Sequence, residues 1–356
     1  MSWHRLVLRS VIAGVIVVTG CSSVGGGSFV DPRANAIADA PHVSGTDPGC
    51  TSRQLVSTGG AFPRDPQTLA VRWTGYANFE LVYNGQILLL DAYFDRGAMY
   101  PSLGFKAADV KRADVLLLGH GHVDHMSDAA SVGARTGAVV VGAPVTVEKL
   151  ATQPIDMKQV RTVTGRGGEL LQFKGYTVEP ILGRHGEPPH EVVEAFDRAL
   201  KTTTPPLTPA QAKERDEIRA RGTSDKRVVT EGTIAYLITL DSGFRILFRD
   251  SGGIVTDYEK AAMARVGRVD LGLISVSAAF LNTLTVERAL EQMRAYRPDV
   301  FIPAHHDGPF NNLWRPTEPL FQAMKEENPK LVTISRVYRE PVCFNTAINI
   351  ARSGGR

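Results

Sequence analysis

One short segment concentrates side chains of the types that bind transition metals. Directly after the apolar run 115–118, six residues contain His120, His122, Asp124 and His125. Imidazole nitrogens and carboxylate oxygens are ligands for zinc, and a catalytic zinc site keeps one position open for water. The first two histidines alternate in an extended segment and can bind one ion, and the later pair can bind a second ion after the chain turns. No rule of core packing places such a cluster after a strand, so the segment predicts a metal site.

Three further apolar runs end in side chains of the same kinds. They are His185 after the run 178–182, Asp250 after the run 246–248, and His305 after the run 300–303. Because strand ends can converge at one edge of a sheet, we expect these side chains to meet the first cluster there. A carboxylate such as Asp250 can bridge two dications and screen their repulsion. Two metal ions about 3.5–4 Å apart generate a hydroxide at neutral pH and hold the attacked and leaving oxygens.

The elements that must position these residues alternate along the chain. Asn84-Gly85 is a hairpin turn between two apolar runs. Predicted strands cover 69–73, 78–83, 86–90, 110–118, 138–141, 175–182, 233–239, 245–248, 271–276 and 300–303, and predicted helices cover 127–136, 191–200, 209–220 and 285–296. Strand pairs followed by strand–helix alternation, and then the same order again, indicate an α/β protein with two similar halves.

Residues 186–228 interrupt the second half of this pattern. Thr208 and Pro209 begin a charged helix, as an N-cap residue and a proline at the first helical position do. The segment contains two Pro-Pro pairs and few large apolar residues. It indicates an insertion near the metal edge, most simply with a solvated face, although an insertion beside a site can also act as a lid.

The pattern His-x-His-x-Asp-His resembles the signature of the metallo-β-lactamase superfamily, and the three later residues follow in that family's order. The resemblance covers about residues 69–310. It implies a four-layer αββα sandwich, formed by one domain over residues 68–345. It also implies two metal sites, the first held by His120, His122 and His185, the second by Asp124, His125 and His305, with Asp250 bridging them.

Three segments resemble one branch of the superfamily, the ascorbate-phosphate lactonase-like and N-acylphosphatidylethanolamine phospholipase D-like hydrolases. These segments are Trp73-Thr-Gly-Tyr-Ala, the strand ending in Asp91, and Ile302-Pro-Ala-His305. His122 stands where the diiron flavoprotein branch has Glu, which favours two Zn²⁺ ions over Mn²⁺ or Fe²⁺. Members close to this branch usually have His where this chain has Tyr76.

The resemblance implies a hydrolase in which a metal-bridging hydroxide attacks a carbonyl or phosphorus centre, with Asp124 orienting that nucleophile as well as binding metal. True β-lactamases usually carry a different residue at the position of Asp250. An ester, lactone or phosphodiester is therefore the expected substrate bond, and a β-lactam is the alternative. Expected aromatic lining residues suit a small-molecule or lipid-like substrate; they are Tyr76, Tyr93, Phe94 and Phe280.

Several assignments stay open on the residues alone. His306 could bind metal in place of His305. His190 and Tyr76 could contact substrate or supply a proton, or could be ordinary surface and lining residues. Asp91 could close a turn or orient a ligand histidine. A non-catalytic metal-binding protein with the same fold is the rival interpretation, but such a relative should have lost a ligand, and none is missing.

The composition excludes several classes of protein. Of 356 residues, 43% are hydrophobic and 22% are charged, as in ordinary globular proteins, which excludes a disordered or collagen-like chain. Forty basic residues against 37 acidic residues give a net charge of +3, with no basic cluster. No nucleic-acid partner is therefore expected.

The first 20 residues have the anatomy of an export signal. A basic start precedes the apolar run 11–18, which is shorter than the roughly 20 residues that span a bilayer. Val18-Thr-Gly-Cys21 resembles a bacterial lipobox, in which the cysteine becomes the lipidated N-terminus. A plain signal peptide and an uncleaved anchor are the alternatives.

We therefore expect a lipoprotein signal peptide over residues 1–20, a tether and irregular lead-in over 21–67, and a C-terminal tail over 346–356. Acyl chains such as palmitate on Cys21 would anchor the protein in the bacterial cell envelope, facing the periplasm or the outside. In an oxidising compartment the other two cysteines, Cys50 and Cys343, are either a disulfide or two buried thiols.

Replacement of the lipobox cysteine tests the anchor. Cys21→Ser should leave the protein unprocessed or release it from the membrane fraction, because each buried methylene of an acyl chain contributes about 0.8 kcal/mol to membrane binding. Fractionation of cells, with mass spectrometry of the N-terminus, measures both outcomes. A processed Cys21→Ser protein that stayed on the membrane would exclude lipidation as the anchor.

Overall fold

The structure is a computed structural model that describes residues 46–187, 189–203, 205–276, 283–308 and 317–349. The predicted signal peptide, Cys21, the first part of the lead-in, Phe280 and residues 350–356 of the predicted tail lie outside the described residues. Among the residues described, no helix combines the length and the apolar character needed to cross a membrane.

Two seven-stranded mixed sheets form the centre of the fold. In spatial order the first sheet contains β14 (Pro341–Asn345), β1 (Thr68–Trp73), β2 (Phe79–Tyr83), β3 (Gln86–Leu90), β4 (Val115–Leu117), β5 (Val139–Gly142) and β6 (Val160–Thr162). The second contains β13 (Val332–Thr333), β12 (Val300–Ala304), β11 (Leu271–Ser275), β10 (Arg245–Arg249), β9 (Ile234–Leu240), β8 (Tyr176–Leu182) and β7 (Leu171–Phe173). Each sheet joins an antiparallel part to a parallel part, so the two halves are built alike.

Helices cover the outer face of each sheet. In chain order they are α1 (Pro48–Thr51), α2 (Val123–Met126), α3 (Ala129–Thr136), α4 (Pro144–Leu150), α5 (His190–Thr203), α6 (Pro209–Arg219), α7 (Arg227–Thr230), α8 (Asp257–Val266), α9 (Thr283–Tyr296) and α10 (Glu318–Glu327). Apolar residues of α3 pack on the first sheet, and those of α8, α9 and α10 pack on the second. The predicted four-layer αββα sandwich is confirmed.

The main core lies between the two sheets. Alternate residues of β1, such as Leu69 and Val71, face this core together with Tyr236 and Ile246 of the opposite sheet. The residue between the first two, Ala70, faces the outer helical layer. Both faces of the central strands are buried, which explains why their sequences are nearly continuous apolar runs.

The strands of the structure differ from the predicted strands in two ways. The predicted strand 110–118 contains only Val115–Leu117, because the exposed Lys111 and Arg112 turn aside and donate their backbone N–H groups to the Ser57 carbonyl. Strands β6, β7, β13 and β14 were not predicted. The first three of these have only two or three residues, and they lack a clear apolar alternation.

The insertion predicted over residues 186–228 contains α5 and α6. Thr208 and Gln211 form a reciprocal capping box at the start of α6. The end of the insertion is bound to the segment after β4 that carries His120 and His122. The Thr223 N–H donates to the Gly121 carbonyl (2.8 Å), and Arg221 pairs with the buried Asp128 (3.1 Å).

The lead-in is bound to the first sheet through a disulfide and through hydrogen bonds to the members of a buried ion pair in that sheet. Arg72 Nη1 lies 3.4 Å from Glu80 Oε1, and the Glu80 carboxylate accepts the backbone N–H groups of Val56 and Ser57. Of the two open alternatives for the cysteines, the structure has the disulfide, joining Cys50 and Cys343 with a Cα–Cα distance of 5.9 Å.

Removal of this disulfide should destabilise the protein without changing the fold. The bond closes a loop of 293 residues, and a native disulfide typically contributes about 2–4 kcal/mol by restricting the unfolded chain. The double variant Cys50→Ala/Cys343→Ala should lose stability of that order in denaturant unfolding. Reductant should weaken the wild type similarly and leave the variant unchanged; a wild type insensitive to reductant would contradict the expectation.

Candidate metal centre

The side chains predicted to bind metal come from the carboxyl ends of four strands. The segment after β4 carries the first four residues of the set, and His122 is the residue before α2. His185 follows β8, Asp250 follows β10 and His305 follows β12. Because β8 and β10 run in the same direction on either side of β9, their ends reach the same edge.

Three histidines form the first cluster. His120, His122 and His185 place one ring nitrogen each within 4.8 Å of the others. His120 Nε2 lies 3.1 Å from His122 Nδ1, and the His185 ring stands nearly edge-on to both. This is the set predicted for the first metal.

A carboxylate and two histidines form the second cluster. Asp124, His125 and His305 also place their ligand atoms within 4.8 Å of one another. Asp124 Oδ2 lies 3.4 Å from His125 Nε2 and 3.2 Å from His305 Nε2. His306 is in none of the described ligand groups, because its ring is buried and stacks on Trp73 at 4.1 Å.

Asp250 lies between the two clusters. Its Oδ2 is 2.5 Å from His120 Nδ1 and 3.3 Å from His125 Nδ1, so it contacts one member of each set. Its Oδ1 is buried without a hydrogen-bond partner among the described residues. Gly119 makes room for this carboxylate, because a Cβ there would lie 2.1 Å from Asp250 Oδ2.

The electrostatics of the first cluster leave its imidazoles neutral. Burial, reinforced by neighbouring histidines, lowers the pKa of His120 well below its ordinary value and that of His185 to about 2. Burial also lowers the pKa of His122. A neutral imidazole offers the lone pair that a metal needs.

The second cluster holds opposite charges. Burial opposes ionisation of Asp124, but His125 and His305 hold the pKa of Asp124 well below its usual range. Burial would also lower the pKa of His125, yet the carboxylates of Asp124, Asp91 and Asp250 raise it well above its ordinary value. These carboxylates can stabilise a metal dication in place of that proton. The donor types and the unpartnered Asp250 oxygen therefore fit two divalent transition-metal ions.

Asp91 orients a ligand of the second cluster. Its Oδ2 lies 2.7 Å from His125 Nδ1, and its Oδ1 accepts the Gly119 N–H at 2.8 Å. Of the roles left open for Asp91, the structure shows the partner of a ligand histidine, and its positive φ of 56° also turns the chain after β3.

Arg249 is a positioning residue that the sequence reasoning missed. It is fully buried, pairs with Glu259 (Nε–Oε1 2.7 Å), and donates to the carbonyls of Ser251, Arg184 and Ile254. It thereby joins the loop of Asp250 to the loop of His185. The sequence feature that could have identified Arg249 is a charged residue at the end of an apolar strand.

A second buried pair holds the loop of His305. Asp307 accepts the Tyr76 N–H (2.9 Å), Arg96 Nη1 (2.7 Å) and the Tyr338 hydroxyl (2.6 Å). The His305 N–H in turn donates to the Tyr76 carbonyl at 2.7 Å. Tyr76 and His305 both have left-handed backbones, with φ of 49° and 58°, which non-glycine residues keep only where their surroundings hold them.

A cavity of about 350 Å³ opens over both clusters. Besides the seven predicted ligands, its walls include Arg184, Arg288, Ser251 and Ser275. Of the aromatic residues predicted to line the site, Tyr76 and Tyr93 line a smaller neighbouring cavity that shares Asp124, and Phe94 packs on Phe105 in the core. His190 is exposed beside Glu194 on α5.

Loss of the Asp91 carboxylate should weaken metal binding. Partners that orient a ligand histidine typically contribute about 10–100-fold to metal affinity, so Asp91→Asn should lose that much at one of two sites in a chelator-competition titration. Asp114→Asn is the matched control, since Asp114 accepts the Ile87 N–H away from the metal centre. Equal affinities for the two variants would show that Asp91 does not support the site.

Comparison with known sequences identifies the family of this chain. The family described as a beta-lactamase superfamily domain matches residues 86–306. A UPF0173 metal-dependent hydrolase of Polynucleobacter asymbioticus is 23% identical over 268 residues, which cover 74% of this chain and 82% of that protein. Another, from Cupriavidus necator, is 26% identical over 239 residues, covering 66% of this chain and 73% of that protein.

Solved structures share the fold. The metallo hydrolase Igni18 of Ignicoccus hospitalis superposes with a TM-score of 0.54 at 15% identity, covering 78% of this chain and 98% of its own. An isothiocyanate hydrolase from Delia radicum gut bacteria gives a TM-score of 0.50 at 12% identity, covering 77% and 98%. With the family match over more than half of its length, this chain belongs to the metallo-β-lactamase superfamily.

Proposed function

We propose that the protein is a zinc-dependent hydrolase that cleaves an ester, lactone or phosphodiester bond. The observation that carries this proposal is the position of Asp250, which contacts His120 and His125 and has one buried oxygen with no hydrogen-bond partner among the described residues. A carboxylate in this position can bind two cations. Without them, burial of its unpaired oxygen costs free energy that nothing in the described part of the chain compensates. The relatives named above support its coarser part, a metal-dependent hydrolase.

Two zinc ions would be held by the residues of the two clusters, with Asp250 between them. When bound, divalent ions acidify a water molecule and stabilise the negative charge that develops on the leaving oxygen. Asp124 is the residue of this chain best placed to act on that water, because its ionised carboxylate lines the cavity and can accept a hydrogen bond from it.

The walls of the large cavity indicate which substrates fit. Arg184 and Arg288 supply guanidinium groups, each already near a glutamate, and Val276, Ile254 and Ala289 supply apolar surface. Such a wall suits a substrate with both a polar or acidic part and an apolar part. A phosphodiester or an ester of moderate size fits this description better than a purely apolar compound.

The cellular location is part of the proposal. Lipidation of Cys21 would tether the catalytic domain to a bacterial membrane and place the cavity within reach of lipid head groups. The tether sets only the location, and fold likeness is a weak guide to substrate, so small soluble esters and lactones are equal members of the substrate class.

One assay panel tests the proposal. The purified protein should cleave a model phosphodiester or a lactone, lose that activity with a chelator, and regain it with zinc. Asp250→Asn should lower turnover about a hundredfold or more, because loss of the carboxylate between the two clusters should weaken metal binding and with it the stabilisation of the leaving oxygen that bound metal ions supply. Asp114→Asn, folded to the same degree by circular dichroism, should keep wild-type turnover.

The same panel contains the results that would overturn the proposal. Strong turnover of a chromogenic β-lactam without turnover of the other two would favour the β-lactamase alternative. Less than one metal ion per chain after metal-replete expression, with no turnover of any substrate, would favour the non-catalytic protein.

A further inference from the structure

A second cavity shares Asp124 with the large one. Its volume is about 150 Å³. The remaining walls include a group of three tyrosines, the segment 96–99, Val123, Leu207 and one side of α6 from the insertion. None of these walls contributes to the metal clusters, so the proposed function leaves this space unexplained.

The three tyrosines form an aromatic corner. The ring centroids of Tyr76, Tyr93 and Tyr100 are 5.3–5.9 Å apart, and each pair meets nearly edge-on, at 74–87°. Tyr76 and Tyr93 are almost completely buried. Tyr76 also stands edge-on to His305 at 4.5 Å, which places the corner beside the second cluster.

The opposite wall is one face of the charged helix α6. Gln211, Arg215 and Ile218 follow at intervals of four and three residues, so they share a face, and all three line the cavity. Ile218 is the buried residue of this helix and packs with Tyr76 and Tyr93. The helix therefore covers the cavity with one face and meets solvent with the other.

The charges around this cavity disfavour an anionic ligand. Arg96 is paired with Asp307 at 2.7 Å, and Arg215 is paired with Asp216 at 2.8 Å. Arg219 is an exposed member of the lining, and the carboxylate of Asp124 would repel an anion from its part of the wall. The inner surface therefore offers aromatic rings, aliphatic groups and hydroxyls.

Size and shape then select the occupant. A cavity of about 150 Å³ has room for one benzene ring, and edge-on aromatic contacts are favourable for a ring placed among tyrosines. We propose that this cavity is a subsite for a single uncharged aromatic ring of the substrate. The proposal rests on the proposed function for its place beside the reaction centre, and it makes the substrate an aryl or benzyl ester, or the corresponding phosphodiester.

The substrate would then extend past Asp124. Its ring would lie between the tyrosines and α6, and its polar or acidic part would lie toward Arg184 and Arg288 in the large cavity. The scissile bond would be held at the junction of the two cavities, beside the second cluster. Aryl esters should therefore bind more tightly than methyl esters, and their KM should be lower.

Binding of p-cresol to the full-length protein tests the subsite directly. Saturation-transfer NMR should detect binding with a dissociation constant of about 1 mM, as expected for a ligand of this size, in the zinc-loaded and the chelated protein alike. Benzoate, which carries a negative charge, should bind at least about tenfold more weakly.

A pair of charge-matched variants on the same helix locates the binding. Arg215→Trp places a large ring in the cavity and should weaken p-cresol binding at least about tenfold. Lys213→Trp removes the same charge on the exposed face of α6, and it should leave p-cresol binding unchanged. Leu207→Trp fills the cavity from the segment before the helix and replaces Arg215→Trp if circular dichroism shows that variant unfolded.

Kinetics separate this proposal from the proposed function. Arg215→Trp should raise KM for phenyl acetate about tenfold more than it raises KM for methyl acetate, and Lys213→Trp should hydrolyse both esters like the wild type. Absence of p-cresol binding, or equal binding by Arg215→Trp and Lys213→Trp, would overturn the subsite even if the protein hydrolyses esters. Normal p-cresol binding, lost in Arg215→Trp, by a protein that hydrolyses no substrate would retain the subsite and reject the hydrolase.

Discussion

Three carboxylates at one edge of the two sheets, of which Asp91 and Asp250 are fully buried, are the constraint on which the rest of the structure depends. Asp91, Asp124 and Asp250 are each within about hydrogen-bond distance of a histidine, and burial raises the pKa of Asp91 and Asp250. Removing several negative charges from water costs several kcal/mol per ion unless opposite charge compensates. The protonated state of His125 supplies part of that compensation, and bound dications would supply more. The histidines therefore have two roles at this edge. Those of the first cluster are neutral and offer lone pairs to a metal, and His125 supplies positive charge beside the carboxylates.

Such an arrangement needs rigid loops, and two buried ion pairs provide them. Arg249 with Glu259 fixes the loops that carry Asp250 and His185, and Arg96 with Asp307 fixes the loop that carries His305. Each pair is satisfied by further hydrogen bonds, to backbone carbonyls in one case and to Tyr76 and Tyr338 in the other. Breaking a buried pair by removing one partner typically costs about 3–5 kcal/mol, so the loops have few alternative positions. The metal centre is therefore preorganised by contacts that do not touch it.

The sequence predicted the parts of the site that depend on local pattern. The convergence of the ligand candidates followed from apolar runs ending in His or Asp, since strand direction determines where such ends meet. The αββα sandwich and the two ligand sets were implied by the resemblance of His-x-His-x-Asp-His to a known family. The support for those ligands was beyond prediction because it joins distant positions: Asp307 contacts Tyr76 across 231 residues and Arg96 across 211. Short strands such as β13, with two residues, carry too little pattern to be recognised. Phe94 was assigned to the site on residue type alone, and its ring turned out to pack in the core.

The insertion shows how a shared fold can acquire its own selectivity. The Thr223 N–H, shortly after α6, donates to the Gly121 carbonyl, so the end of the insertion is fixed close to the segment that carries Asp124. One face of α6 then completes a wall that the sandwich lacks, opposite tyrosines that belong to the sandwich itself. A helix in this position can change the size of the second cavity through Arg215 or Ile218 without disturbing a metal ligand. In the proposed subsite, the chemistry and the recognition of the substrate thus depend on different elements, joined at Asp124.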